Sequence, residues 1–516
     1  MAKPQSLIIL CIALALLPSC RKNDRGKEGG KYPQFTAEVD ESLSPWTSGQ
    51  EISICDNYGG AALYVTSAEG RSVPLKYLSG DRLKEGAGVV YRANWPPAAS
   101  SEGGLDSWQE LSGADALNGI PLQARGPEKT LVFHPNSGMV KLRFLGGSPR
   151  QAAVELSEGT IHIAVPQGMT EGLFWVPEGE HFFKSIGIVA ADRKISFTDI
   201  SSTVAVRSDV PAELPAIDIS GASPADNNLT GSARTANCYI AIPGNSCRFY
   251  AKCKGNQGMT ADVFSPVWAD IIWQDGMMHP ALCDGEYIYF KTSGEEGNAL
   301  VAARDQDGKV LWSWHIWVES DAIKGVSTAA GTIMDRDLGA LSASQGDSLS
   351  CGLFYQWGRK EPVRASESLI AEAETDDLAW SASVKTINDP CPDGWRIMPG
   401  GGHGVSSNNM AVSNASLNGF WSNYFGSSAP QYGSSAWKSS GDGISGILPQ
   451  NGLWIPASGI MNAEGVISGK GFCGSLWTAY TYAGMAGCLA FGESGYISPV
   501  SWSNRAAGRA VRCIKE

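Results

Sequence analysis

Three sets of residues in this chain are of types that do chemistry or hold ligands. Two charged triplets, Asp335-Arg336-Asp337 and Arg359-Lys360-Glu361, stand on either side of Trp357. Paired carboxylates can act as general acid and base, or the same side chains can form an ion-pair network that positions loops. The network is the reading adopted, and no catalytic residue is assigned. The second set is aromatic: Trp421, Tyr424, Tyr432 and Trp437, then Trp477, Tyr480, Tyr482 and Trp502-Ser503-Asn504-Arg505, all amid Ser, Asn and Gly. Sugars stack their C–H faces on such rings and bond through hydroxyls to Asn and Arg. Trp421, Tyr424, Trp437, Trp477, Tyr480, Trp502, Asn504 and Arg505 are therefore candidate ligand-binding residues, with burial in a core as the alternative for each ring. The third set is the 12 cysteines, which contain no C-x-x-C pair and so support neither a zinc ribbon nor a redox dithiol. The 6 histidines are scattered, no P-loop or dinucleotide fingerprint occurs, and neither a metal nor a cofactor is expected.

The N-terminus bears on where this chemistry takes place. Lys3 precedes an uninterrupted apolar run, Leu7–Leu17, too short to span a bilayer and of the length of a signal-peptide core. Leu17-Pro18-Ser19-Cys20 follows directly and resembles the bacterial lipobox, in which the Cys sulfur is lipidated and becomes the first residue after cleavage. Cys20 is the expected lipidation site (diacylglyceryl plus an acyl chain such as palmitate), giving stable anchoring to the outer membrane. Residues 1–19 then form the signal peptide and 20–34 a charged, Gly-rich tether. Disulfides can persist in such an oxidising location.

These residues must be held by strands more than by helices. The chain has 516 residues, 61 of them Gly and 17 Trp, with 18% charged side chains, a pattern of short strands and tight turns. A net charge of −12 with no basic run argues against nucleic acid as a partner. Alternation over Phe35–Val39 and Glu51–Cys55 places a first β-sandwich at 35–128. Val140, Leu142 and Phe144 on one strand face begin a second at 129–222. A third spans 232–322 and ends in Leu311–Val318, whose two bulky faces predict a strand covered on both sides. Residues 325–516 are more irregular, with an acidic, helix-like piece at Ser366–Trp380. The fold class is mainly β: tandem sandwiches followed by an irregular α+β domain.

Several segments resemble known families. The lipobox, Trp46–Ile54 and Tyr91-Arg-Ala-Asn-Trp-Pro96 together resemble the start of the fimbrillin-like lipoproteins of Bacteroidetes. Met334-Asp-Arg-Asp-Leu-Gly339, Gly352–Lys360, Pro390-Cys-Pro-Asp-Gly-Trp-Arg396 and Val511-Arg-Cys513 resemble the Fibrobacter succinogenes major paralogous domain, which is similar to the C-type-lectin-like fold. The resemblance implies transthyretin-like or Ig-like sandwiches and a surface-exposed outer-membrane lipoprotein of fimbriae or related adhesive structures. It also implies subunit partners that join by strand addition. It implies a disulfide between Cys391 and Cys513, closing the lectin-like domain. Cys473 with Cys488 can cross-link adjacent strands, although spacing alone does not fix connectivity. Trp502-Ser503-Asn504 lacks the Asp of the lectin calcium motif. No Arg lies between Arg25 and Arg71, so the protease site that opens typical fimbrial subunits is missing between the first two strands. This favours a tip, anchor or accessory protein over a repeated stalk subunit. The function expected is adhesion, with a glycan or a surface protein as ligand. The alternative is a glycan-capturing lipoprotein of a polysaccharide-uptake system.

Overall fold

The computed structural model describes residues 32–39, 45–58, 60–85, 89–95, 107–111, 122–135, 137–207, 210–231, 233–261, 263–328, 331–364, 373–400, 437–441, 443–449, 452–493 and 497–516. Cys20 with the signal peptide, and Trp421 and Tyr424, lie outside the described residues. Within them the chain is built of strands, with a single 3-10 turn at Ser348–Ser350. Two compact units result. One comprises residues up to Ile186 with Thr198–Gly221, and the other Gly187–Phe197 with Ala222–Glu516.

In the first unit, seven strands close on themselves in the order Phe35–Val39, Ser72–Gly80, Ala61–Thr66, Glu51–Asp56, Tyr91–Trp95, Leu122–Gly126 and Thr130–Pro135. Alternation decides the inner face: Phe35, Ala37 and Val39 point into a core with Ile52, Ile54 and Tyr64. Phe35–Val39 pairs antiparallel with Ser72–Gly80 and parallel with Thr130–Pro135, so closure leaves neither side of it as an edge. The expected boundary at 128/129 is crossed twice. Thr130–Pro135 completes the barrel, and Ser107–Glu110 pairs with Thr160–Ala164 of the next sheet. Local sequence sets where a strand forms, but its partner is whichever backbone edge needs covering. Two further sheets follow, and in them Val140, Leu142 and Phe144 are buried on one face of Ser137–Leu145.

The second unit begins with two four-stranded sheets. One contains Cys238–Ala241, Val310–Val318, Gly297–Arg304 and Trp268–Gln274 in that order. Val310–Val318 is covered on both sides: Trp314, Ile316 and Val318 enter the sandwich core, while Trp317 joins a second core made with residues 334–513. The third sandwich and the C-terminal region therefore share one strand as a wall.

The C-terminal region holds Gly325–Thr328, Gly331–Met334, Cys513–Lys515 and Trp395–Ile397 in one sheet. A larger sheet runs through Phe354–Gln356, Gly508–Ala510, Cys473–Tyr482, Met485–Gly492 and Ile497–Asn504. A disulfide joins Cys391 to Cys513. The α part of the expected α+β domain is not found among the described residues. Of the helix-like piece, 373–380 is a loop: Glu374 accepts the amides of Thr375 and Asp376, Asp376 accepts that of Leu378, and Trp380 is drawn into the core. Such local carboxylate-to-backbone bonds compete with the helical ladder.

Candidate functional site

The charged triplets fold into structure. Arg336 lies between Asp335 (3.1 Å) and Glu319 (3.0 Å), with both Arg336 and Glu319 almost fully buried. Asp337 accepts Nε of Arg512 at 2.7 Å, and Arg512 donates from Nη1 to the carbonyl of Trp454 at 2.9 Å. Burial pushes the Asp337 carboxyl up, and the Arg512 charge opposes that rise. Lys360 donates to Ser313 (2.8 Å to its carbonyl), pairs with Glu361 and sits 4.2 Å over the ring of Trp312. Glu361 in turn accepts the hydroxyl of Ser313 at 2.9 Å. The carboxylates face guanidinium and ammonium partners, buried at Glu319 and Asp337 and partly exposed at Glu361, the arrangement of an ion-pair network.

A second polar seam ties the C-terminal region to the third sandwich. Asn237 donates from Nδ2 to the carbonyls of Ile387 (2.7 Å) and Asp389 (2.9 Å), and Asn256 does the same to Thr386 (2.7 Å) and Asp389 (2.9 Å). Asp389 accepts the amides of Cys391 (2.9 Å) and Ile397 (2.8 Å), and lies 3.6 Å from Lys385. His315 completes the seam. Its Nε2 is 2.9 Å from Oδ1 of Asn298, and its Nδ1 is 3.2 Å from the hydroxyl of Tyr355.

The aromatic candidates separate into two groups. Trp477 is fully buried, donating from Nε1 to the carbonyl of Tyr355 at 2.7 Å, so it is a core residue and not a ligand contact. Arg505 is also withdrawn: it donates to the carbonyl of Glu374 at 3.0 Å, pairs with Asp377 and lies 4.6 Å over Trp357. Burial turns such donors onto internal acceptors: the Tyr355 carbonyl for Trp477, and the Glu374 carbonyl and Asp377 carboxylate for Arg505. Trp437 packs against Phe491 at 6.5 Å, on the flank of the core. Cys473 and Cys488 are both free thiols. Their separation follows from register: Cys473 is opposite Gly492 and Cys488 opposite Trp477, four positions along the same strand. At about 3.4 Å per residue that offset is well beyond disulfide reach.

What remains exposed lies on one face of the hairpin 473–492 and its neighbour Ile497–Asn504. Tyr482 is opposite Met485, Trp502 opposite Gly487, and Asn504 opposite Met485, so these side chains share a face. Tyr482, Met485 and Trp502 are 53%, 37% and 38% exposed. The ring of Trp502 lies 5.9 Å from Tyr482 at 46° and 5.1 Å from the buried Tyr480 at 40°. Tyr480 is a wedge under the exposed pair. Burial, then the neighbouring Tyr482, pushes its phenol pKa up.

The wedge is seated by the backbone. A bulge between Trp477 and Thr481 puts Tyr480 across from Gly487, where an added Cβ would stand 3.2 Å from Cβ of Tyr480. Gly400 crowds the same residue, an added Cβ there standing 2.5 Å from Cβ of Tyr480. The hairpin tip is Ala483-Gly484, with φ of 49° and 78°. Both values are positive, as in the tightest two-residue turns, and they fix Tyr482 and Met485 side by side. Asn504 commits Oδ1 to the amide of Ala506 at 2.9 Å, leaving its NH2 as the group it can offer. The sequence candidates thus include part of this surface (Trp502, Asn504 and, as support, Tyr480); Tyr482 is in the aromatic set but not in the shortlist drawn from it, and Met485 is in neither. A signal for it exists: between Lys470 and Arg505 the only charged residue is Glu493.

No family model matches the chain, and no curated protein does either. Among solved structures, it is similar to a fimbrial protein from Bacteroides ovatus, at 10% identity over 94% of this chain and 99% of that one, with a TM-score of 0.19. It is also similar to a fimbrial assembly protein from Parabacteroides distasonis, at 13% identity over 34% of this chain and 87% of that one, TM-score 0.18. A third is SGBP-B of the Bacteroides ovatus mixed-linkage glucan utilization locus, at 9% identity over 60% and 71%, TM-score 0.11. With similarity this distant, function is read from the chain's own residues.

Proposed function

We propose that this chain is a lipid-anchored protein of the bacterial outer surface that acts in adhesion, as a fimbrial tip, anchor or accessory subunit. In this reading Cys20 holds it to the outer membrane. The barrel and sandwiches serve as spacer and as attachment to partner subunits, and the C-terminal region presents the ligand-binding surface. The observation that carries it is the exposed Tyr482–Met485–Trp502 surface, held by a buried wedge and a tight turn. Exposed apolar patches on a rigid support mark interaction sites, and pre-organisation lowers the cost of binding. The sequence resemblance to fimbrillin-like lipoproteins supports the location. A glycan-capturing role in polysaccharide uptake is the second reading, favoured by the same rings.

The test is adherence of intact cells carrying the wild-type chain, a deletion, or Tyr482→Ala/Trp502→Ala, with surface protease treatment to establish exposure. Loss of adherence in the deletion and in the double variant is expected. Unchanged adherence in the deletion strain refutes the adhesive role. Growth defects on defined polysaccharides with normal adherence would transfer the protein to the uptake reading.

A further inference from the structure

We infer that the Tyr482–Trp502 surface takes an uncharged saccharide chain by ring stacking, with no metal ion in the contact. This rests on the surface being the ligand-binding face of the adhesion reading above, and it adds the chemical class of the ligand.

Charge is the first argument. The three strands that build the face, Cys473–Tyr482, Met485–Gly492 and Ile497–Asn504, contain no Asp, Glu, Lys, Arg or His, in a chain of net charge −12. Both arginines that border them are turned inward. Arg505 is 2% exposed and engaged with Glu374 and Asp377, while Arg509 is 8% exposed and donates to the carbonyl of Gly508 and the hydroxyl of Ser503. A uronate, sialate or sulfate brought to Trp502 would thus lose water without meeting either cation, a cost that a neutral sugar avoids. Among the described residues, no group of three or more His, Cys, Asp or Glu is placed to hold a metal.

Ring geometry is the second. Sugar C–H faces need flat aromatic surface, and Trp502 and Tyr482 supply it at a spacing on the scale of one pyranose ring. Their planes differ by 46°, so together they fit successive faces of a twisted, soluble chain and not the flat face of a crystalline polymer. Tyr480 beneath fixes that tilt, and the NH2 of Asn504 is a donor for a ring hydroxyl.

The test uses the chain from residue 21 onward with the lipid omitted, titrated with mixed-linkage β-glucan, mannan and arabinan, and with polygalacturonate and heparin as charged probes. Binding is read by calorimetry and tryptophan fluorescence, at about 50 and 500 mM NaCl and with and without EDTA. Expected is binding within the neutral panel, insensitive to salt and EDTA, and weakened roughly 30-fold by Trp502→Ala, the size of a hot-spot truncation. Tyr482→Ala is a second variant at an exposed ring, expected to weaken binding about tenfold. Selective, salt-sensitive binding of the charged probes, loss of binding on chelation, or full affinity in both variants would each overturn the inference. If no glycan binds while the double variant still abolishes adherence, the saccharide assignment is wrong and the adhesive surface stands, its ligand then being a protein. If adherence is unaffected by the deletion, the adhesion reading itself fails.

Discussion

His315 gives a test of the shared wall between the third sandwich and the C-terminal region. The imidazole is 1% exposed, and burial lowers its pKa from 6.5 to about 3. Its surroundings explain why the neutral form is kept. Asn298 is oriented by donating from Nδ2 to the carbonyl of Gly339 at 3.0 Å, so its Oδ1 must accept from His315 Nε2. Nδ1 is left to accept the Tyr355 hydroxyl, and Trp317 stacks near the ring at 6.5 Å. Among the described residues no carboxylate is in contact to stabilise an imidazolium. The sign follows directly. Between the folded pKa near 3 and the unfolded value of 6.5, the unfolded chain binds more protons, so stability rises with pH across that window and falls as the solution is acidified. Lowering the pH from about 7 to about 5 should remove roughly 2 kcal/mol through this residue alone. Urea unfolding followed by tryptophan fluorescence, at both pH values, in wild type and in His315→Gln, isolates the effect, because other histidines contribute equally to both proteins. The variant should start less stable and lose about 2 kcal/mol less on acidification. Equal pH dependence in the two proteins, or a native His315 resonance titrating near 6.5, would refute the reasoning.

Two further predictions concern the C-terminal core. The Cys391–Cys513 disulfide closes a loop with a sequence separation of 122. Its replacement by two alanines should cost about 5 kcal/mol by loop entropy, measured as a fall in the urea midpoint of the C-terminal transition, and a shift under about 1 kcal/mol would contradict that account. Arg512→Met leaves the fully buried Asp337 without its cation and should cost about 3–5 kcal/mol. Adding Asp337→Leu should restore much of that loss in the same melt, and no restoration would show that the arginine acts by packing alone.

The strands were largely legible because their signals are local. Alternation in Phe35–Val39 and Ser137–Leu145, and the doubly bulky Val310–Val318, each read off the sequence with the faces the structure shows. Pairing was less so. Nothing local announces that Ser107–Glu110 leaves the barrel for the next sheet, since strand partners are chosen by unpaired backbone edges far away in sequence. The described part of the acidic piece, 373–380, is not helical for a different reason: its carboxylates had nearer amides to bond, and its tryptophan had a core to fill.

The same division runs through the candidate site. Sequence alone determined the kind of material present: aromatic rings among Ser, Asn and Gly, almost no charge from 471 to 504, and two charged triplets with the composition of an ion-pair network. Tertiary structure decided which rings face water. Trp477 and Trp502 look alike in sequence, yet one is sealed under Tyr355 and the other stands on Tyr480 at the surface. That choice depends on a bulge of the strand and on which glycine lies opposite, and both are set by register between segments that local composition does not fix.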